Sequence, residues 1–397
     1  MSLPLFPHQI CLVSAQTLPN YIGATLPEAA PQTVHLVVSE QMKNRADILE
    51  NILRIKKCTV QKHFLASTDP NELFELLCSI EEKNSAGFSI NVTGGTKLMA
   101  LTAVDWASES DSKPYAFYVD TENNSILHIG GQWEKYPITR RLKVDEILLA
   151  GAGHRILAGD TSPMKKEERP VIQELLQLFI KDNQALALFN KCASQARFSE
   201  SNPDMQMNYV EYPTSPGEGF GRALALAKQL GKVTVHNDGL CYASEQCRFW
   251  CNGGWLEEYV KDTLFQLKHK KIIDDFSANV QLDYRIHVKG NDKDAPQNEI
   301  DAAFTAYNRL FIMECKTSNL NRNGKIDTKA EEAIYKLDSL RKSLGGTFSG
   351  GMLVVIHPTR REDLNRCKEL GIELVSGSRV LGLASVIEDR IRNVAHV

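Results

Sequence analysis

The sequence predicts an α/β protein in three parts: a doubly wound parallel sheet over residues 1–150, a small helix-and-hairpin connector over 151–245, and a second α/β domain over 246–397. Three observations carry that reading. Short apolar β-forming runs alternate with helical stretches through the first part, proline, glycine and polar residues break the pattern in the middle, and a helix, three strands, a helix and a strand follow in the last part. At 397 residues the chain exceeds one ordinary core, so two or three domains are expected.

Composition narrows the function classes. With 43% hydrophobic and 24% charged residues the chain is globular, and a net charge of -3 gives no global nucleic-acid footprint, so such binding would need a local groove. No apolar run approaches the roughly 20 residues of a membrane span, and Met1 to Pro7 lacks a basic leader, so a cytoplasmic protein is expected. Nine scattered cysteines read as reduced thiols; Cys241, Cys247 and Cys251 form the nearest cluster, but their spacing fits no zinc pattern. No HExxH, GxxxxGK[ST] or GxGxxG fingerprint occurs.

In the first part, strands are expected at 9–14, 35–39, 59–66, 88–92 and 115–120, with helices between them. Ligands of such sheets sit beyond the carboxyl ends of the strands. The first strand runs out into Ser14-Ala15-Gln16-Thr17, and the fourth into Thr93-Gly94-Gly95-Thr96-Lys97 before an apolar helix. Glycines at a strand-to-helix turn allow close backbone approach, and the helix start offers N–H groups to a phosphate, with Thr93, Thr96 and Lys97 adding hydroxyls and a cation. A tight turn without a ligand would read the same.

A doubly wound, Rossmann-like domain with these two turns resembles the CARF domain, the sensor of type III CRISPR defence. That resemblance implies a homodimer whose joined strand ends cradle a cyclic oligoadenylate. Ser14, Gln16, Thr93, Gly94, Gly95, Thr96 and Lys97 would line the pocket, with Ser39, Glu40, Asp120 and Thr121 as further candidates.

The middle opens on a strand-like stretch, 136–149, that ends in Ala150-Gly151-Ala152-Gly153. A helix is expected at 169–181, a long polar loop at 199–220, a helix at 222–230 and a short hairpin across Asn237-Asp238. Such a unit would be a winged-helix-like connector between sensor and effector.

In the last part, Gly253-Gly254-Trp255-Leu256-Glu257-Glu258 opens a helix to about residue 269, with Leu256, Val260, Leu264 and Leu267 as the stripe that packs on a sheet. Glu257 falls on the flank of that stripe and Glu258 toward solvent. After a strand at 280–288, the runs 300–307 and 310–315 form a hairpin with Asn308-Arg309 as its loop. Tyr307 would then pair with Leu310 and Asp301 with Lys316, so that Asp301, Glu314 and Lys316 share one face, the carboxylates diagonal and roughly 7–8 Å apart. Two carboxylates can hold a hard divalent cation, and a lysine beside them can orient water or offset developing charge. A strand pair whose charges neutralise one another is the plain alternative. Asn319, Asn321, Arg322, Asn323 and Lys325 of the next loop, and Lys336 of the next helix, could meet a phosphate backbone.

Motif and element order in this part resemble the restriction-endonuclease-like PD-(D/E)xK nucleases. Most of the chain, least so 151–245, resembles the CARF nucleases of type III CRISPR systems. That likeness implies an endonuclease activated by cyclic tetra-adenylate, using Mn²⁺ or Mg²⁺ held by Asp301, Glu314 and the backbone carbonyl of Cys315. Glu257 would assist and Lys316 would place the nucleophile. Single-stranded DNA, RNA or nicked duplex would all serve as substrate, since nothing in the sequence encodes base readout. A ligand-responsive transcription regulator with a non-catalytic last domain, or a sensor that degrades its own cyclic ligand, are the competing functions.

Overall fold

The β-forming runs of the first part become a seven-stranded sheet. The structure is a computed structural model that describes residues 4–84, 86–130, 133–196, 209–236, 239–283, 299–318, 328–346 and 349–395. Strands β1 (His8–Leu12), β2 (Thr33–Ser39), β3 (Thr59–Leu65), β4 (Phe88–Asn91), β5 (Tyr115–Asp120), β6 (Ser125–His128) and β7 (Lys135–Pro137) lie in the order β3-β2-β1-β4-β5-β6-β7. The first five run parallel, and β6 and β7 extend the sheet by antiparallel pairing. Helices α1 (Leu18–Ala24), α2 (Lys43–Ile55), α3 (Pro70–Glu82) and α4 (Lys97–Glu109) connect the parallel strands. Strand order reverses between β1 and β4, so the crevice of a doubly wound sheet opens at the two turns singled out in the sequence.

The expected strand at 136–149 is extended only at its start and helical at its end. Only Lys135–Pro137 is extended, and α5 (Val144–Ile147) runs into a π-helical turn, Leu148–Ala152. Glu146 accepts a hydrogen bond from the Lys143 backbone N–H at 3.1 Å, closing the first turn of a helix where apolar content alone suggested a strand.

The second sheet has the order β16-β15-β14-β13-β12-β8. Its strands are β8 (Arg155–Asp160), β12 (Asp275–Asp283), β13 (Glu299–Ala306), β14 (Arg309–Lys316), β15 (Gly350–Val355) and β16 (Ile372–Ser376). Strands β8, β12, β13 and β14 are antiparallel neighbours, whereas β14, β15 and β16 are parallel. The expected strand at 280–288 begins earlier, at Asp275, and residues 284–288 lie outside the described residues.

Between β8 and β12 the chain forms α6 (Glu168–Lys181), α7 (Asn183–Gln195), α8 (Gly217–Gln229), α9 (Glu245–Phe249) and a three-stranded antiparallel sheet of β9 (Tyr209–Glu211), β10 (Val233–Val235) and β11 (Gly239–Tyr242). These helices are not a detached spacer. Phe179 of α6 and Phe189 of α7 share one apolar core with Trp255 of α10 (Trp255–His269) and with Phe304 and Phe311 of the second sheet. The opposite face of that sheet carries α11 (Thr328–Gly345), while α12 (Arg361–Glu369) and α13 (Leu383–Ala395) complete the chain. A second apolar cluster runs from Leu36 and Leu49 through Ile147 and Leu148 to Ile312, Ile334 and Leu337, joining the two sheets into one body.

Candidate active site

The hairpin β13–β14 turns at Tyr307-Asn308, both with positive φ (51° and 60°), one residue earlier than expected. Ala306 therefore pairs with Arg309, Thr305 with Leu310 and Ala302 with Met313. One further step of that register sets Asp301 opposite Glu314 rather than Lys316. The partner changes by two residues, an even number, so the shared face survives the correction.

On that face Lys316 Nζ lies 2.5 Å from Glu314 Oε1, and Lys336 Nζ of α11 approaches the same oxygen at 3.4 Å. Glu314 is buried, with 2% of its surface exposed. Asp301 Oδ2 accepts the Cys315 backbone N–H at 2.7 Å, which ties one strand's carboxylate to the other's main chain beside the acid and the lysine. Burial, then the neighbouring Glu314, holds the Asp301 carboxyl above its ordinary range. Glu257, in the first turn of α10, is pushed up to about 8 by burial and by Asp301. Burial works against the Lys316 ammonium, yet Glu314 and Asp301 outweigh it and raise its pKa. Glu258, expected in solvent, is paired with Lys261 at 2.8 Å, and Lys261 also reaches Asp160 at 2.6 Å.

Among the described residues no group of three His, Cys, Asp or Glu side chains is close enough to hold a metal ion alone. The donor chemistry nevertheless fits a hard divalent cation. Hard carboxylate oxygens gather here, the Glu257 and Asp301 carboxyls both raised above their ordinary range by burial and by neighbouring acids, and one more positive charge would relieve both.

Glu257 and Lys316 open into a cleft of about 590 Å³. Its wall was not foreseen in the sequence: α7 brings Asn190 and Lys191, α9 brings Phe249, and the end of β15 brings His357. Asn190 Nδ2 donates to Thr317 Oγ1 at 3.0 Å, just past Lys316. For His357 a signal existed, since it follows a strand parallel to β14 and so lies at the same carboxyl edge. For α7, more than a hundred residues away in sequence, none did. Asn319, Asn321, Arg322, Asn323 and Lys325 lie outside the described residues.

The sensor candidates gather at the β1 and β4 ends, which are paired neighbours. A Cβ on Gly94 would lie 1.9 Å from the Leu12 carbonyl oxygen, so only glycine lets this turn pass under β1. The Thr93 hydroxyl is used internally, donating to Asn91 at 2.7 Å and accepting the Val119 N–H at 2.7 Å. Thr96 caps α4 through Met99 N–H at 3.2 Å, and Gly95 takes φ +73°. Ser14 donates to the Gln16 carbonyl at 3.1 Å, while Gln16, Thr96 and Lys97 are exposed. Glu40 pairs with Lys43 at 2.6 Å beyond Ser39, and Asp120 closes its own turn on Asn123, so these weaker candidates already have local partners. Gln16 and Thr121 border a cavity of about 600 Å³ between the two halves, together with Arg45, Asn308 and Arg341.

Family models match both halves: a Card1 CARF domain over residues 9–147 and a Card1-like endonuclease domain over residues 243–394. The chain belongs to the Card1-like CARF nucleases. Its fold is similar to protein VC1899 from Vibrio cholerae, with a TM-score of 0.81 at 18% identity over 98% of both chains. It is also similar to Can2 from Sulfobacillus thermosulfidooxidans, solved in complex with cyclic tetra-adenylate, with a TM-score of 0.76 at 23% identity over 98% of this chain and 99% of that one. A type III CRISPR defence DNA nuclease activated by cyclic oligoadenylate matches 91% of this chain and 48% of its own, with a TM-score of 0.54 at 19% identity. No curated protein matches. No helix of the Card1-like chain is long and apolar enough to cross a membrane, among the described residues.

Proposed function

We propose that this Card1-like chain is a divalent-metal-dependent endonuclease, switched on by cyclic tetra-adenylate bound between the sensor domains of a cytoplasmic homodimer. The observation that carries the catalytic half is the meeting of Asp301, Glu314 and Lys316 on adjacent strands, with Lys316 open to the same cleft as Glu257. Asp301, Glu314 and the Cys315 carbonyl would hold Mn²⁺ or Mg²⁺, which supplies Lewis acidity toward a phosphodiester when bound. Lys316 orients the attacking water and offsets charge on the phosphoryl oxygens. Glu257, with its carboxyl pKa near 8, holds a proton within reach of the same cleft at neutral pH.

The activator half is supported by the CARF match over 9–147 and by the likeness to Can2, whose structure holds cyclic tetra-adenylate. Ser14, Gln16 and Thr96-Lys97 surround the mouth of the strand-end crevice, with Thr93, Gly94 and Gly95 shaping the turn. We take 1–150 as the sensor and 246–397 as the nuclease, with 151–245 built onto the nuclease face. Exposed Leu98 and Leu101, one turn apart on α4 beside that crevice, support pairing of two sensors.

The test is incubation with cyclic tetra-adenylate, Mn²⁺ and separately labelled DNA, RNA and activator. Activator-dependent cutting of DNA or RNA is expected, and Glu314→Ala should reduce it at least about 100-fold with the fold intact. Loss of the activator alone would favour a ring nuclease, and binding of DNA without cutting would favour a regulator.

A further inference from the structure

Phe249 ends α9 with 50% of its surface exposed, on the wall of the cleft that holds Glu257 and Lys316. Single exposed apolar side chains are ordinary on an outer surface. Phe249 instead lines a cleft together with Asn190, Lys191, Asn252 and Lys316. Its ring has a fitted seat: a Cβ on Gly254 would lie 2.9 Å from ring atoms Cδ1 and Cε1, so any larger residue there would push the ring away. The position is thus fixed by backbone, with one part of the ring against Gly254 and the rest open.

Two polar atoms beside it lack partners. Asn190 gives its Nδ2 to Thr317 Oγ1 but leaves Oδ1 buried and unbonded, and His357, 3% exposed, hydrogen-bonds the Thr317 backbone and leaves Nδ1 unbonded. Both residues line the same cleft as Phe249. Buried acceptors without donors carry a cost that a bound donor removes.

We propose that Phe249 is a base-stacking platform for the nucleic acid in this cleft. Lys191 takes a phosphate of the stacked nucleotide, and Asn190 and His357 accept from its donors. A cation, an aromatic face and sequence-tolerant acceptors are the chemistry that grips one unpaired nucleotide. A base inside a duplex has both faces covered and cannot use the ring, so the platform acts on single strands only. The inference rests on the nuclease reading and names how that site holds its substrate.

The test uses the full chain with cyclic tetra-adenylate. In a Glu314→Gln background, a single-stranded oligonucleotide carrying 2-aminopurine should lose fluorescence on binding. Adding Phe249→Ala should abolish that quench and adding Phe249→Trp should retain it. In the active chain with Mn²⁺, Phe249→Ala should raise KM for single strands about 10-fold with kcat little changed, and Phe249→Trp should restore it. A parent that cuts, with unaltered KM and quench in Phe249→Ala, overturns the platform and leaves the nuclease reading intact. A loss that Phe249→Trp does not restore, accompanied by a lower melting temperature, also overturns it, since the ring would then be structural. A parent that cuts no nucleic acid removes both readings.

Discussion

Glu257 shows what the site asks of single residues. Its carboxyl titrates near 8 in the folded chain against an ordinary 4.5, so between those values the native state keeps a proton that the unfolded chain has released. Stability linked to that proton is present below pH 4.5 and is lost as pH rises toward 8. For the metal-free protein the loss should be of the order of 2–4 kcal/mol, measured as a melting temperature that falls from pH 5 to pH 8. Glu257→Gln should flatten the curve, and added Mn²⁺ should stabilise the parent more at pH 8 than at pH 5. A parent curve already flat without metal would mean that Glu257 does not face Asp301 across a dry gap. Little of this was legible in the sequence: helical spacing placed Glu257 on the right flank, but the burial and the repulsion come from strands that are distant along the chain.

At the scale of elements, the hairpin that carries Asp301 and Glu314 is held by its turn. Asn308 Oδ1 accepts the Leu142 N–H at 2.9 Å, and Asn308 Nδ2 donates to Asn124 Oδ1 at 2.8 Å and to the Arg140 carbonyl at 3.0 Å. Arg309 donates to the Glu122 carbonyl, and Arg141 lies over the Tyr307 ring at 4.8 Å. The turn that joins Asp301 and Glu314 is therefore built into the sensor, next to the β5–β6 turn. This explains why the sequence located the hairpin but shifted its turn. Local preference favours Asn308-Arg309, since tyrosine rarely takes positive φ, and the tertiary contacts to 140–142 override it. Asn308→Gly keeps the positive-φ turn while removing all three side-chain bonds. It should fold, lose about 1–3 kcal/mol of stability, bind cyclic tetra-adenylate as before, and lose most of the ratio of cleavage with activator to cleavage without it. An unchanged ratio would show that the signal reaches the cleft by another route.

For the whole molecule, alternation of short strands and helices was enough to give the five parallel strands of the sensor sheet, because a helix links each of them to the next, whereas the β1–β4 pairing that makes the switch point joins strands distant along the chain. The way the halves meet was not legible. Helices of the 151–245 segment share the nuclease core through Phe179 and Phe189, and β8 adds an edge strand to the nuclease sheet, so what reads along the chain as a spacer is part of the effector in space. One exposed apolar pair lies on the sensor, where Leu98 is 49% and Leu101 is 67% exposed on α4. Two copies joined there would bring two Lys97 and two Thr96 side chains around one ligand, which suits a symmetric ring of anionic phosphates better than either crevice alone. Leu98→Glu with Leu101→Glu puts like charges across that junction at positions whose exposure leaves the folded monomer within about 0.5 kcal/mol of the parent. Light scattering should then report half the parent mass, and activator binding and activator-dependent cleavage should fall together. A variant that keeps the parent mass would move the dimer contact to another face, and a parent that is already monomeric would leave the ring to a single crevice.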